Sequence, residues 1–182
     1  MNFVEPIRDA QVVQRVEEYL KSTNKRNYIM FIIGVYTGLR ISDVLKLRVK
    51  DVKHRSNISI REIKTGKQKM FEMNPRLKKE LAVYCQDKNQ NDYLVVSRKG
   101  NNKPITRVRA YMILRDIADL FCLENIGCHT MRKTFGYHHY LQYKDVLILQ
   151  KIFNHSHPTI TMRYIGMEQE TINKSIKNFK IY

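Results

Sequence analysis

The chain has 182 residues, room for one domain or one domain with an appendage, and 43% hydrophobic content, enough for a packed core. Its 33 Lys and Arg against 17 Asp and Glu give a net charge of +16, which points to an anionic partner, most simply nucleic acid. Three exclusions follow from the remainder: no run approaches the roughly 20 apolar residues of a membrane helix, the N-terminus MNFVEPIRDAQ has no apolar leader core, and Cys85, Cys122 and Cys128 lack the C-x-x-C spacing of a zinc site, so they read as reduced thiols in a cytosolic setting.

In chain order, Asp9 is placed to cap a helix over 10–21, where Val12, Val13, Val16 and Leu20 recur at helical spacing. A second helix is predicted from Asn24 to Thr37; Tyr28, Ile29, Phe31, Ile32 and Val35 make it apolar on most sides and place it at the centre of the core. Gly38 supplies the permissive backbone that ends it, and a short helix with Val44, Leu45 and Leu47 starts at Ile41 or Ser42. The period then changes. Val49–Val52, Ile58–Ile63 and Lys69–Met73 are short β-branched or alternating stretches divided by Ser56-Asn57 and Thr65-Gly66, which predicts a small three-stranded antiparallel sheet with Lys64 at its second turn.

Asn74-Pro75 opens a helix to about Cys85 or Asp87, with Asn as cap and Pro in the first position. Residues 86–104 are a polar loop with one extended piece, Tyr93–Val96. Thr106 caps a helix to about Cys122; then come a helix opened by His129, an apolar helix over Lys144–Phe153, a short helix carrying Tyr164 and a last one over about Glu168–Lys177. No internal repeat or linker interrupts the chain, so the expected class is α+β, mainly α-helical, in a single domain over 1–182.

The chemistry is densest in the stretch CHTMRKTFGYHHYLQYKDVLILQKIFNHSHPTITMRYIG, from Cys128 to Gly166. Singly, its members have structural explanations. Arg40 in GLRISD suits an interhelix ion pair with Asp43, His129 a capping role, Arg132 a solvated helix face, and Tyr164 is one of 11 tyrosines. Together, cations, histidines and a phenol suit displacement at a phosphodiester, whose transition state needs fixed positive donors around its oxygens. A phenol serves as nucleophile if those cations lower its pKa from about 10.

Arg40 in GLRISD, Lys64 in a KTGK turn, CHTMRKTFG and FNHSHPTITMRYIG resemble the catalytic domain of tyrosine recombinases, the phage-integrase family, from about Pro6 to Gly166 or slightly beyond. The resemblance implies that family's fold and makes Arg40, Lys64, His129, Arg132, His155 and Tyr164 the catalytic set. Two positions depart: Phe153-Asn154 stands where Leu-Gly usually precedes the second histidine, and Lys133 follows Arg132 where histidine is common. An N-terminal core-binding domain, usual in the family, is expected to be absent from this chain.

Arg40 and Arg132 are expected to clamp the non-bridging oxygens of a scissile phosphate, because a guanidinium binds two oxygens and stays charged. His155 adds a hydrogen bond, His129 takes the tyrosine proton, and Lys64 delivers a proton to the leaving 5′ oxygen. The implied reaction is transesterification through a 3′-phosphotyrosine, with no cofactor and no metal. Its partner is double-stranded DNA, positioned through phosphates by candidates such as Lys46, Arg48, Lys67, Arg107, Arg109 and Arg115. The alternatives are type IB topoisomerase-like relaxation, favoured less by the GLRISD form, and a non-catalytic DNA-binding regulator, which has no need of Tyr164. In the tail, Ile172, Ile176 and Phe179 form one apolar stripe on a helix too short to stand alone. It is expected to dock on its own domain in the free monomer and on a neighbouring protomer in a homo-tetramer on synaptic DNA.

Overall fold

The computed structural model describes residues 4–61, 66 and 68–181. Its first helix, α1 (Ala10–Thr23), is capped by Asp9, whose carboxylate accepts a hydrogen bond from the Gln11 N–H. Asn24 caps α2 (Lys25–Thr37) in the same way through Asn27. From Tyr28 to Val35 every residue of α2 is buried, which makes it the axis of the domain, with α1, α4 (Pro75–Tyr84) and α6 (Thr130–Tyr143) packed around it. Gly38 closes α2 at φ 65°, a left-handed position that favours glycine, and turns the chain so that Arg40 stands extended just before α3 (Ile41–Val44).

The sheet differs from expectation. The described residues hold two strands, β1 (Asn57–Arg61) and β2 (Gln68–Glu72), paired antiparallel with Ile58 opposite Phe71 and Ile60 opposite Lys69. The third predicted strand, Val49–Val52, is a 3-10 turn over Val49–Asp51. The reason is local: the Asp51 carboxylate accepts from the Arg48 N–H at 2.8 Å, and Val49 and Val52 repeat at i, i+3, the period of a tight helix and not of a strand. Lys64 and Thr65 of the predicted turn lie outside the described residues. The 93–96 piece, expected to be extended, makes isolated bridges only at its ends, Tyr93 with Arg48 and Val96 with Pro104, with a turn at Leu94 and Val95 between them.

The second half is helical: α5 (Arg107–Leu120) capped by Thr106, then α6, α7 (Val146–Phe153), α8 (Pro158–Tyr164) and α9 (Met167–Asn178). α7 starts at Val146 because Asp145 caps it and Lys144, at φ 55°, closes α6. α9 is held by its first turn, where Met167 is buried and Glu170 accepts from the Tyr137 hydroxyl at 3.1 Å. The expected docking of its apolar stripe on its own domain is not what the structure contains: Ile172, Ile176 and Phe179 are 46%, 71% and 74% exposed. The face that α9 turns inward carries Met167 and Glu170 instead.

Candidate active site

Arg132 organises the site. It lies in the first turn of α6, 3% exposed, and a buried guanidinium must find acceptors. One terminal nitrogen donates to the Gly38 carbonyl at 2.5 Å and the other to the Phe153 carbonyl at 2.9 Å, while the plane rests 4.3 Å from the centre of the Phe153 ring. Arg132 therefore ties the end of α2 to the end of α7. Arg40, half-buried beside the Gly38 turn, adds a second guanidinium whose charge acts on both His129 and Tyr164.

Tyr164 ends α8, and its hydroxyl is 3.1 Å from Nδ1 of His129, the cap residue of α6. His155 meets the same phenol ring with centres 5.2 Å apart, and its Nδ1 is held by the buried Thr161 hydroxyl at 2.9 Å. Five of the six expected residues thus converge: Arg40, His129, Arg132, His155 and Tyr164. Lys64 is the sixth and falls outside the described residues.

The electrostatics refine the expectation for the nucleophile. Burial pushes the Tyr164 phenol above its ordinary pKa; the charge and hydrogen bond of Arg132 and the charge of Arg40 pull it back but do not overcome burial. The cations alone do not make a phenolate, so proton removal needs a base. His129 is the imidazole within reach of the phenol, its Nδ1 3.1 Å from the hydroxyl. Desolvation, then the charges of Arg107, Arg132, Lys133 and Arg40, lower its pKa and hold it neutral, able to accept a proton.

The two departures from the family pattern occupy the site. Asn154 adopts the left-handed conformation, φ 55° and ψ 46°, which asparagine tolerates better than most residues, so the turn before His155 forms without glycine. Phe153, fully buried, is a common floor: Arg132, His155 and Tyr164 all rest on its ring. Sequence reasoning did not place Phe153 or Lys133 in the site; each stands beside a motif residue, the one signal available. Gly136 allows this crowding, since a Cβ there would stand 2.7 Å from Ile165 and Phe153.

Outside this cluster, Arg26, Arg98, Arg109 and Thr106 line a cavity of about 510 Å³ that shares no residue with it. Arg48, a candidate for DNA contact, is instead engaged internally with the Asn91 carbonyl, the Tyr93 hydroxyl and the Tyr93 ring. Among the described residues, no helix is long and apolar enough to cross a membrane and no group of three His, Cys, Asp or Glu side chains is placed to hold a metal ion.

Comparison with known proteins gives the family and the fold. The phage integrase family model matches residues 7–171. A probable integrase/recombinase of Bacillus subtilis (strain 168), YoeC, is 46% identical over 179 residues, covering 98% of this chain and 98% of that protein. The tyrosine recombinase XerA of Pyrococcus horikoshii is 24% identical over 161 residues, covering 87% of this chain and 56% of that protein, so the chain spans about half of that relative's length. Among solved structures, XerA recombinase superposes with a TM-score of 0.75 at 21% identity, over 98% of this chain and 67% of that one. A XerH site-specific recombinase bound to its palindromic difH substrate, in a post-cleavage complex, gives 0.73 at 18% identity, over 98% and 54%. These two likenesses establish the fold.

Proposed function

This chain belongs to the phage integrase family, and from that premise we propose that it is a site-specific DNA recombinase that cuts and rejoins DNA through a 3′-phosphotyrosine on Tyr164. The observation that carries the reading is the 3.1 Å approach of the His129 ring nitrogen to the Tyr164 hydroxyl beside the anchored Arg132. His129 takes the phenol proton as the oxygen attacks phosphorus, and the bond to the 5′ oxygen breaks. Arg40 and Arg132 neutralise the non-bridging oxygens. His155, fixed at Nδ1 by Thr161, offers its other ring nitrogen to the same phosphate. Lys64 protonates the departing 5′ oxygen. A 5′-hydroxyl from a partner strand then reverses the step, the bond energy having been kept in the phosphotyrosine.

DNA is the partner. The cationic cavity at Arg26, Arg98 and Arg109, with exposed Arg107 and Arg115, suits backbone phosphates on either side of the cleavage point. The catalytic unit is the domain as a whole, active as a homo-tetramer on paired sites and monomeric when free, in the cytoplasm. Residues 168–182 act as the docking segment: the exposed stripe of Ile172, Ile176 and Phe179 is the surface through which one protomer engages the next.

The test is a DNA duplex nicked near the cleavage point, incubated in EDTA. Covalent protein–DNA product that depends on Tyr164 supports the reading. Absence of product, or product only when magnesium is restored, overturns it. A two-site exchange assay beside plasmid relaxation separates recombination from topoisomerase-like turnover.

A further inference from the structure

Lys133 follows Arg132 on α6 and is 7% exposed. Burying an ammonium is costly unless something compensates it. Its Nζ stands over the Tyr164 ring, 5.1 Å from the ring centre, where the π face is attractive to a cation. Burial pushes the lysine pKa down, the Glu5 carboxylate pulls it up and Arg8 opposes that pull. His129, Phe153 and His155 each meet the same phenol T-shaped, at 6.3, 5.5 and 5.2 Å between ring centres. Those three contacts are neutral, and Arg132 adds a charged hydrogen bond at the hydroxyl; Lys133 is the cation placed over the ring face, where it restrains the plane of the ring and not its oxygen.

We propose that Lys133 is a positioning residue for Tyr164: its ammonium over the ring fixes the orientation of the phenol, so that the oxygen stays within reach of His129 and of the phosphate. The inference rests on Tyr164 being the nucleophile. Aligned attack is worth orders of magnitude, and a displacement of about 1 Å can cost about 100-fold in rate. A ring on the last residue of a seven-residue helix needs such a restraint more than one held inside a long element.

Lys133 has a second, measurable effect. The charged groups facing His129 are Arg107 on α5, Arg40 before α3, and Arg132 and Lys133 on α6, with Tyr164 on α8 as its hydrogen-bond partner. Each cation lowers the His129 pKa. Removing Lys133 raises that pKa, so neutral imidazole is lost at higher pH as the solution is acidified. The acid limb of the attachment rate then moves to higher pH.

The experiment compares Lys133→Met, of similar length without charge, with Lys133→Arg, which keeps the charge. Single-turnover covalent attachment to the nicked duplex is followed against pH, with DNA affinity and thermal melting recorded for each protein. Lys133→Met is expected to attach about 10- to 100-fold more slowly at saturating DNA. Its affinity is unchanged, its acid limb lies at higher pH, and Lys133→Arg recovers both rate and limb. If Lys133→Met melts without a cooperative transition, Lys133→Gln is read in its place. A neutral variant with the wild-type rate and acid limb overturns the proposal, and so does an arginine variant as impaired as the neutral one, because packing and not charge is then what matters. Wild type and Tyr164→Phe run alongside; attachment by the first and not the second keeps the nucleophile assignment standing when the Lys133 role fails.

Discussion

Two hydrophobic clusters share this chain unequally. The larger draws on α1, α2, α4 and α5 and reaches into α6 at Met131. The smaller consists of Tyr137, Leu149, Phe153, Ile165 and Met167, with Phe135, Tyr140, Ile152, Met162 and Tyr164 partly buried against it. The candidate catalytic residues divide between them. Arg40 and His129 sit at ends of elements seated on the large core, whereas His155 and Tyr164 belong to the small one, and Arg132 reaches both. A region with few buried apolar contacts opens at lower free energy than the global unfolding of its domain. In the proposed reaction the larger core would thus carry the Arg40 side of the phosphate frame, and the smaller cluster would carry Tyr164.

The largest expected effect isolates chemistry from packing. Tyr164→Phe keeps the ring on Phe153 and removes the oxygen; covalent product on the nicked duplex should vanish while DNA affinity stays at wild type. Stability in denaturant should fall by no more than about 1–3 kcal/mol for the hydrogen bonds lost to His129 and Arg132. Persistent product would move the nucleophile to another tyrosine, with Tyr140 and Tyr143 the nearest upstream.

Next is the link between the clusters. Arg132→Met leaves the Gly38 and Phe153 carbonyls without their charged donor, a loss of about 3–5 kcal/mol. Denaturant titration should show that loss, and hydrogen exchange should show α7 and α8 opening before α2. Equal protection of both regions would mean that Arg132 does not couple them. Gly136→Ala strikes the small cluster alone: its Cβ meets Phe153 and Ile165, and overpacking costs about 1–3 kcal/mol. Slower attachment with unchanged DNA affinity is the expected signature, read by single-turnover kinetics against a binding isotherm.

The pH dependence follows from His129. Its pKa is depressed, so the neutral base survives below the ordinary histidine value of about 6.5 and is lost only as pH falls through the lower folded value. The acid limb of the attachment rate should therefore lie below pH of about 6.5; a limb above it would rule out a neutral His129 held by the surrounding cations. The smallest effect on the monomer is truncation after Met167. Little apolar burial is lost, and removing the Tyr137–Glu170 bond should cost about 1 kcal/mol. One-site cleavage should persist while two-site assembly, read by gel shift, is lost. Equal assembly by truncated and full-length proteins would sink the docking role of the stripe.

The local parts of this account were legible because their causes are local. Asp9, Asn24, Asn74 and Thr106 each cap the helix that follows, since a short polar side chain meets an unpaired N–H within a few residues of itself. Val49–Val52 was misread because β-branched residues suit strands, whereas the reach of Asp51 to the Arg48 N–H and the i, i+3 spacing of the valines select a tight turn.

By itself the sequence determined the family, the order of the helices and the six candidate residues, because a motif dispersed along the chain survives as residue identities at fixed spacings. Only the tertiary structure decided how those residues behave. Burial of Tyr164 outweighs the cations that face it, His129 is held neutral by its own burial and then by charges from α5, α6 and the Arg40 corner, and Phe153 and Lys133 enter the site. Desolvation and Coulomb interaction depend on distances between atoms that are remote in the chain, and no one-dimensional pattern carries those distances. The same holds for the tail: its apolar stripe was visible as a period, but that it faces outward was settled by Met167 and Glu170 taking the inward side of α9.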